Sequence, residues 1–286
     1  MSRAIIATVP PPGGTLFVVA TPLGNLEDLS PRALRTMRQA ALVACEDTRR
    51  TGNLLRNNEI QTPTTSFFEH NERWKGEQIL EILRAGRDVA LVSNAGTPGI
   101  SDPGYRLVRD ARSEGLRVVP VPGPSAVITA LSVCGLPTDR FLFVGFLPPK
   151  AAARTHALQE LAAEGSTLVF YESPVRIVGA LADMIANLGD REAFLCREAT
   201  KLHEEYVKGR LSELRALLAA RGTVKGEIVL VVAGAGERPA DRTESVESLY
   251  ARLSAAGKTR REAVKEVARI LALPARDVYR RVQKKD

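Results

Sequence analysis

Cysteine, histidine and long apolar runs are all scarce in this 286-residue chain. The three cysteines, Cys45, Cys134 and Cys196, are odd in number, widely spaced and set in apolar segments. That pattern fits reduced core thiols and excludes a disulfide framework. His70, His156 and His203 show no ligand spacing, so no metal centre is expected. No apolar run approaches the roughly 18 residues of a membrane span, and the opening MSRAIIATVPPPGG has too short an apolar stretch for a signal peptide. The expectation is a cytoplasmic protein with no membrane contact. Familiar nucleotide and hydrolase signatures are missing as well. Gly257-Lys258-Thr259 has Arg252 where a phosphate-binding loop needs glycine, Gly234-Ala235-Gly236 lacks the third glycine of a dinucleotide fingerprint, and there is no G-x-S-x-G elbow.

Charge is present but unevenly placed. From Gly257 to Asp286 ten Lys or Arg face four acids, whereas residues 1–256 carry thirty basic and twenty-nine acidic residues. A nearly neutral body ending in a basic module points to a polyanionic partner.

Apolar runs of strand length recur at Thr15–Ala20, Ala41–Cys45, Thr65–Phe68, Val89–Ser93, Arg117–Val121, Phe141–Phe146, Thr167–Tyr171, Ala193–Cys196 and Ile228–Val232. Amphipathic helical stretches such as Pro31–Gln39, Glu77–Arg84, Gly104–Ser113, Pro124–Val133 and Pro174–Ala186 separate them. This alternation predicts an α/β protein with mainly parallel sheets buried on both faces. Punctuation between Pro122 and Asp139 divides it into two α/β domains, 1–122 and 123–236. A polar linker, Gly234–Thr243, leads to a basic helical module at 244–286. There Glu247–Ala255 is helical by pattern, and Thr259 with Glu262 has capping-box spacing ahead of the apolar stripe Ala263, Val264, Val267, Ala268 and Leu271. Pro274 interrupts, and Arg276–Val282 resumes. The pair resembles a helix-turn-helix, leaving Arg260, Arg261, Arg269, Arg276, Arg280 and Arg281 for solvent or phosphate.

Five strand ends carry the residues of interest. Thr21-Pro22-Leu23-Gly24-Asn25 allows a sharp turn with room for a ligand. In Ser93–Gly104, Ala95, Gly96 and Gly99 remove side-chain bulk while leaving backbone donors and acceptors free, as a nucleoside-like ligand requires. Asp102 before Pro103 reads there as a helix N-cap. In Pro122–Ala126, Ser125 is either a helix-start hydroxyl or a ligand contact. Tyr171-Glu172 stops a strand before Pro174, and Glu46-Asp47-Thr48-Arg49-Arg50 brings two carboxylates and two guanidiniums to the same kind of edge. Helix-start acids account for Glu46 and Asp47 but not for Arg49.

Together, TLFVVATPLGNLEDLSPRAL, ACEDTRRTGNLL, LVSNAGTPGISDPGYRLV, VPVPGPSAVITALSVCGLPTDRFLFVGFLP, LVFYESPVRI and CREATKLHEE, running in order from Thr15 toward Gly234, resemble the ribosomal RNA small subunit methyltransferase I family. That family is a branch of the tetrapyrrole methylase-like, class III S-adenosylmethionine-dependent methyltransferases. The resemblance implies 2′-O-methylation of a cytidine ribose in the decoding region of 16S rRNA, within the 30S subunit, by a homodimer with two α/β domains per chain and the methyl donor in a ligand cleft between them. Carried onto this sequence, Pro22, Gly24, Asn94, Ala95, Gly96, Thr97, Pro98, Ile100, Ser101, Ser125, Ala126, Tyr171 and Glu172 would line the donor site. The family usually shows Asp where Asn94 stands and His where Val175 stands. Within this reading Glu46, Asp47 and Glu198 are the candidates for taking the hydroxyl proton, and Arg49, Arg197 and Lys201 for gripping phosphates. No metal is called for. Two alternatives remain open on sequence: a methyltransferase acting on a tetrapyrrole, and a non-enzymatic nucleic-acid-binding regulator.

Overall fold

Five short strands between residues 15 and 121, four of them mainly apolar and one the polar Thr64–Ser66, assemble into a wholly parallel sheet. They are β1 (Thr15–Val19), β2 (Leu42–Cys45), β3 (Thr64–Ser66), β4 (Val89–Val92) and β5 (Arg117–Val121), in the order β3-β2-β4-β1-β5. The computed structural model describes residues 13–236, 246–271 and 273–283. Connecting helices are α1 (Pro31–Gln39), α2 (Thr48–Asn57), α3 (Glu72–Arg84) and α4 (Tyr105–Ser113). Successive strand residues point to opposite faces, which sorts the core into two layers. Val19, Val43 and Val92 pack on Met37 and Leu55 from α1 and α2, while Leu16, Ala44 and Leu91 pack on Leu83 and Leu107 from α3 and α4.

After α5 (Ala126–Val133), the second sheet consists of β6 (Phe141–Phe146), β7 (Thr167–Glu172), β8 (Glu192–Arg197), β9 (Glu205–Arg210) and β10 (Ile228–Val232). Their order is β6-β7-β10-β8-β9. Helices α6 (Ala151–Glu160), α7 (Ile177–Leu188) and α8 (Leu211–Ala219) complete this half. One sheet face meets Ile177, Leu181 and Met184 of α7 and Leu214 and Leu218 of α8, and the other meets Val127, Ala130 and Leu131 of α5.

The expectation of mainly parallel pairing fails in this sheet. Only β6 and β7 run parallel, whereas β10 is antiparallel to both β7 and β8, and β8 is antiparallel to β9. A fully buried strand such as β10 looks the same in sequence whichever way it runs. Strand β9 had no apolar run to announce it. It is an edge strand whose residues alternate between half-buried and exposed.

The described residues of 1–161 and 166–233 form one compact unit, and those from 234 onward, with 162–165, form a second. In the second unit, α9 (Val246–Ala255), α10 (Arg260–Ile270) and α11 (Ala275–Gln283) enclose a small core of Val246, Leu249, Val264, Val267 and Val278. Glu262 accepts from the Thr259 backbone N–H at 2.9 Å and from its hydroxyl at 2.7 Å, so α10 starts where the capping-box spacing places it. Arg260, Arg261, Arg269, Arg276, Arg280 and Arg281 are all exposed. The expectations for the opening segment (1–12), for most of the linker and for Lys284 and Lys285 fall outside the described residues. Among the described residues no helix is long and apolar enough to cross a membrane, and no cluster of His, Cys, Asp or Glu is arranged to hold a metal.

Candidate functional site

Parallel strands place the loops that leave their carboxyl ends on one edge of the sheet. Two of those loops are tied directly, since Thr21 and Gly96 each donate a backbone N–H to the other's carbonyl at 2.9 Å. Thr97 Oγ1 then donates to the Pro124 carbonyl at 3.2 Å, bringing in the loop after β5. This edge closes over a cavity of about 400 Å³.

From the first half the cavity is lined by Leu23, Arg50, Asn94, Ala95, Gly96, Thr97, Ile100, Ser101 and Asp102. The second half adds Ser125, Ala126, Phe146, Tyr171, Glu172, Ser173, Pro174, Cys196, Ala199, Glu227, Ile228 and Val229. Ten of the thirteen residues assigned to the donor site are therefore brought together here. Pro22 and Gly24 line instead an adjoining pocket of about 200 Å³, which shares Leu23, Arg50 and Asn94 with the larger one. Pro98 lines neither. Val175, beside the cavity in sequence, is 92% exposed and outside its lining.

Sequence reasoning missed Glu227, Ile228 and Val229 because it looked only at strand carboxyl ends. Strand β10 is antiparallel to β7 and pairs Ile228 with Glu172 and Val229 with Tyr171, so its beginning shares the edge where β7 ends. No periodicity distinguishes that case.

Phe146, Ser173, Pro174, Cys196 and Ala199 were missed as well, and so was Asp102, which the sequence offers as a helix cap. It is not an N-cap: α4 begins at Tyr105, and Gly104 holds the cap position at φ 134°. A side chain at Gly104 would also meet Leu91 Cδ2 at 2.9 Å, which keeps this position for glycine. The Gly104 N–H is held by Glu72 Oε1 at 3.1 Å, and Ser101 sits at φ 60°, rare for a residue with a side chain. The loop is thus pinned in a strained course that turns Asp102 into the cavity wall.

Burial raises the Asp102 carboxyl to about 6, the negative charge of Glu46 adds to the rise, and a Ser93 hydrogen bond offsets part of it. The folded protein therefore holds this proton more tightly than the unfolded chain, whose value is near 3.9. Stability from this site is full below pH 4 and is lost as pH rises through 6. Asp102→Asn is expected to be about 1 kcal/mol more stable than the parent at pH 7.5, allowing for the part of the carboxylate that stays hydrated, and equal at pH 4. Melting curves across that range check it; a difference that does not change with pH would contradict the assignment.

Asn94 and Glu172 line the cavity, and each carries one buried acceptor without a protein partner. Asn94 Nδ2 donates to Glu46 Oε2 at 2.8 Å, leaving Oδ1 without a protein partner. Glu172, 2% exposed, accepts through Oε1 from Arg176 at 2.6 Å and from the Ser173 N–H at 2.7 Å, while Oε2 has no partner. Ser125 occupies the N-cap of α5 with no side-chain cap bond. Burial pushes the Tyr171 phenol up to about 12, with Asp102 adding, and the Cys196 thiol up to about 11, so both keep their protons at neutral pH.

The other carboxylates and cations of interest are engaged elsewhere. Asp47 caps α2, accepting from the Arg49 N–H at 2.8 Å, and pairs with the Arg49 guanidinium at 3.3 Å, which holds its pKa below the usual range. Burial tends to raise Glu198, but Lys201 at 2.7 Å and the Glu227 N–H at 2.9 Å outweigh it and hold it low. Arg197 pairs with Glu205 at 2.7 Å. Lys201 packs its stem over Gly24 while its ammonium joins Glu198 and Glu227. Arg50, which lines both pockets, has no ion pair among the described residues.

Two α/β halves thus meet in a small-residue cleft at their facing strand ends. The tetrapyrrole (corrin/porphyrin) methylase family matches residues 15–215. Among solved structures, cobalt precorrin-4 methyltransferase superposes with a TM-score of 0.58 at 18% identity, covering 76% of this chain and 94% of that one. Uroporphyrin-III C-methyl transferase from Thermus thermophilus, complexed with S-adenyl homocysteine, superposes with a TM-score of 0.52 at 23% identity, covering 77% and 97%. Sequence relatives are much nearer. A ribosomal RNA small subunit methyltransferase I of Halalkalibacterium halodurans is 45% identical over 93% of this chain and 93% of its own length. One of Pseudomonas aeruginosa is 53% identical over 77% and 79%. The chain belongs to the ribosomal RNA small subunit methyltransferase I family within the tetrapyrrole methylases.

Proposed function

We propose that this protein transfers the methyl group of S-adenosylmethionine to the ribose 2′-hydroxyl of a cytidine in the decoding region of 16S rRNA, acting on the 30S subunit. The observation that carries the reading is the cavity at the strand ends, walled by the small residues Ala95, Gly96, Ser125 and Ala126 beside the polar side chains of Asn94, Thr97, Tyr171 and Glu172. Small residues let a ligand approach the backbone, and the polar side chains suit one rich in N–H and O–H groups. An adenosine with a charged amino acid tail has those groups, and the relatives' names supply the RNA class.

Once bound, that donor supplies a methyl group already activated on a positively charged sulfur. The protein's share is to orient, to exclude water and to handle a proton. Ala95 and Gly96 let the backbone approach a flat ligand, while Leu23, Ile100, Phe146 and Val229 give apolar walls. Arg49, 90% exposed at its side chain, and Arg50, which has no ion pair among the described residues, are the body's proposed phosphate contacts, and the basic C-terminal module is a separate one. In this reading residues 1–122 and 123–236 are the two catalytic domains and 244–286 the RNA-binding one. The protein works in the cytoplasm as a homodimer, and exposed Ile128, Val133, Phe141 and Leu142 offer apolar area for a second copy.

Labelled methyl transfer to 30S subunits from cells lacking this protein tests the reading, with nucleotide mapping of the product. Label on a single 2′-O-methylcytidine is expected. Arg49→Ala is expected to weaken RNA binding about tenfold while donor binding by calorimetry stays nearly intact. Equal loss of both would remove Arg49 from the RNA side.

A further inference from the structure

We propose that the smaller pocket, between the turn after β1 and helix α2, receives the acceptor nucleoside of the RNA. This rests on the function proposed above and names where its substrate sits. Methyl transfer is a direct displacement, so the attacking ribose oxygen must lie about 3 Å from the donor's methyl carbon, and the two ligands must share a boundary. The pocket of about 200 Å³ meets that condition, because Leu23, Arg50 and Asn94 line both it and the donor cavity. The pocket of about 320 Å³ between α3 and α4 has no lining residue in common with the donor cavity. A nucleoside there would sit apart from the donor.

The chemistry of the smaller pocket fits one nucleoside with its phosphate. Pro22, Leu26 and Leu54 offer apolar surface to the faces of a base, and Leu26 is 55% exposed, a large apolar side chain left open on the turn. The inner polar groups are committed to the fold. Thr21 Oγ1 donates to the Ser93 carbonyl at 3.0 Å, Ser93 Oγ to the Gly96 carbonyl at 3.1 Å, and Asn94 Nδ2 to Glu46 at 2.8 Å. What remains for a ligand lies on one face of α2, where Arg50, Asn53, Leu54 and Asn57 recur at three- and four-residue spacing. Asn53 Oδ1 accepts from Arg56, leaving its N–H₂ as a donor. Asn57 has no side-chain hydrogen bond and Arg50 no ion pair among the described residues. Two amides thus present donors and an acceptor to the edge of a base, and the guanidinium at the boundary of the two pockets presents a planar set of donors to a phosphate. With half the volume of the donor cavity, the pocket takes one nucleoside, turned out of its strand, while its neighbours stay outside. Pro22 and Gly24, expected at the donor, belong on this reading to the acceptor. Gly24 has no room for a side chain, since a Cβ there would collide with the Lys201 stem.

Filling the pocket without touching the donor cavity tests the proposal. Asn53 and Asn57 are exposed on α2 and line the smaller pocket alone. In the full-length protein with 30S subunits and S-adenosylmethionine, Asn53→Trp or Asn57→Trp is expected to lower kcat/KM for the 30S subunit by about tenfold or more. Donor affinity by calorimetry should stay within about threefold of wild type, as for a surface substitution that leaves the fold alone. Loss of less than tenfold in both variants, or donor affinity falling in step with transfer, would overturn the proposal. Absence of wild-type transfer would instead defeat the functional reading and leaves the pocket to a direct measurement. There the protein is saturated with S-adenosylhomocysteine, which occupies the donor cavity, and NMR saturation transfer to cytidine 5′-monophosphate is recorded. Signal on the cytosine protons that either tryptophan abolishes is expected. No signal, or a signal that survives in both variants, overturns the assignment of the pocket.

Discussion

Replacing Arg261, Arg276 and Arg281 together by glutamine is expected to lower affinity for 30S subunits about a hundredfold near 0.1 M monovalent salt. These guanidiniums are exposed on α10 and α11 and have no ion pair among the described residues. Arg269 and Arg280, by contrast, already pair with Glu266 at 3.0 Å and Asp277 at 3.8 Å, and Arg260 lies 5.3 Å over the Tyr279 ring. Each phosphate neutralised releases roughly 0.7 to 0.9 of a counterion, so three lost contacts should flatten the log–log salt dependence by about 2 to 3. The helices themselves are held by Val246, Leu249, Val264, Val267 and Val278, none of which the substitution touches. Thermal stability should therefore change by no more than about 0.5 kcal/mol. Binding measured across a salt series decides the matter: an unchanged slope would make the module a solvated basic tail and return the RNA contacts to the α/β body.

How much of this was legible in the chain depends on what each residue pattern encodes. The first sheet was readable because its parallel strands are short apolar runs followed by turn residues, and four of those turns do meet on one edge. The capping box at Thr259 and Glu262 was readable because both halves of the interaction are local. Strand direction in the second sheet was not, since the apolar run of β10 records burial on both faces and nothing about its neighbours. That single ambiguity hid Glu227 to Val229 from the site. Asp102 was hidden for a different reason. An aspartate before a proline has a ready local explanation as a cap, and only the positive φ of Ser101 and Gly104, a tertiary property, shows that the helix starts later. Asp47 illustrates the reverse, a residue offered for chemistry that the structure uses as an actual helix cap.

Glu172→Ala is expected to destabilise the fold by about 3 kcal/mol and to weaken donor binding at least tenfold, two losses with separate origins. The first comes from Oε1. Its removal strands the Arg176 guanidinium, 28% exposed, and the Ser173 N–H, both of which it holds at 2.7 Å or less. Breaking a buried pair from one side costs about 3–5 kcal/mol, and the partial exposure of Arg176 places the effect at the low end. The second loss comes from taking a polar side chain, whose Oε2 has no protein partner, out of the cavity wall. Glu172→Gln separates the two, because it keeps the side chain's shape and one acceptor oxygen. If that oxygen stays with Arg176, the amide N–H₂ faces the ligand in place of an acceptor. Donor affinity should then fall as far as in the alanine variant while stability recovers at least half of the loss. Denaturant titration without ligand reads the first quantity, and the donor-induced rise in melting temperature reads the second. Equal donor affinity in Glu172→Gln and wild type would mean that Glu172 serves the fold alone, leaving Asn94 Oδ1 as the unpartnered acceptor assigned to the donor.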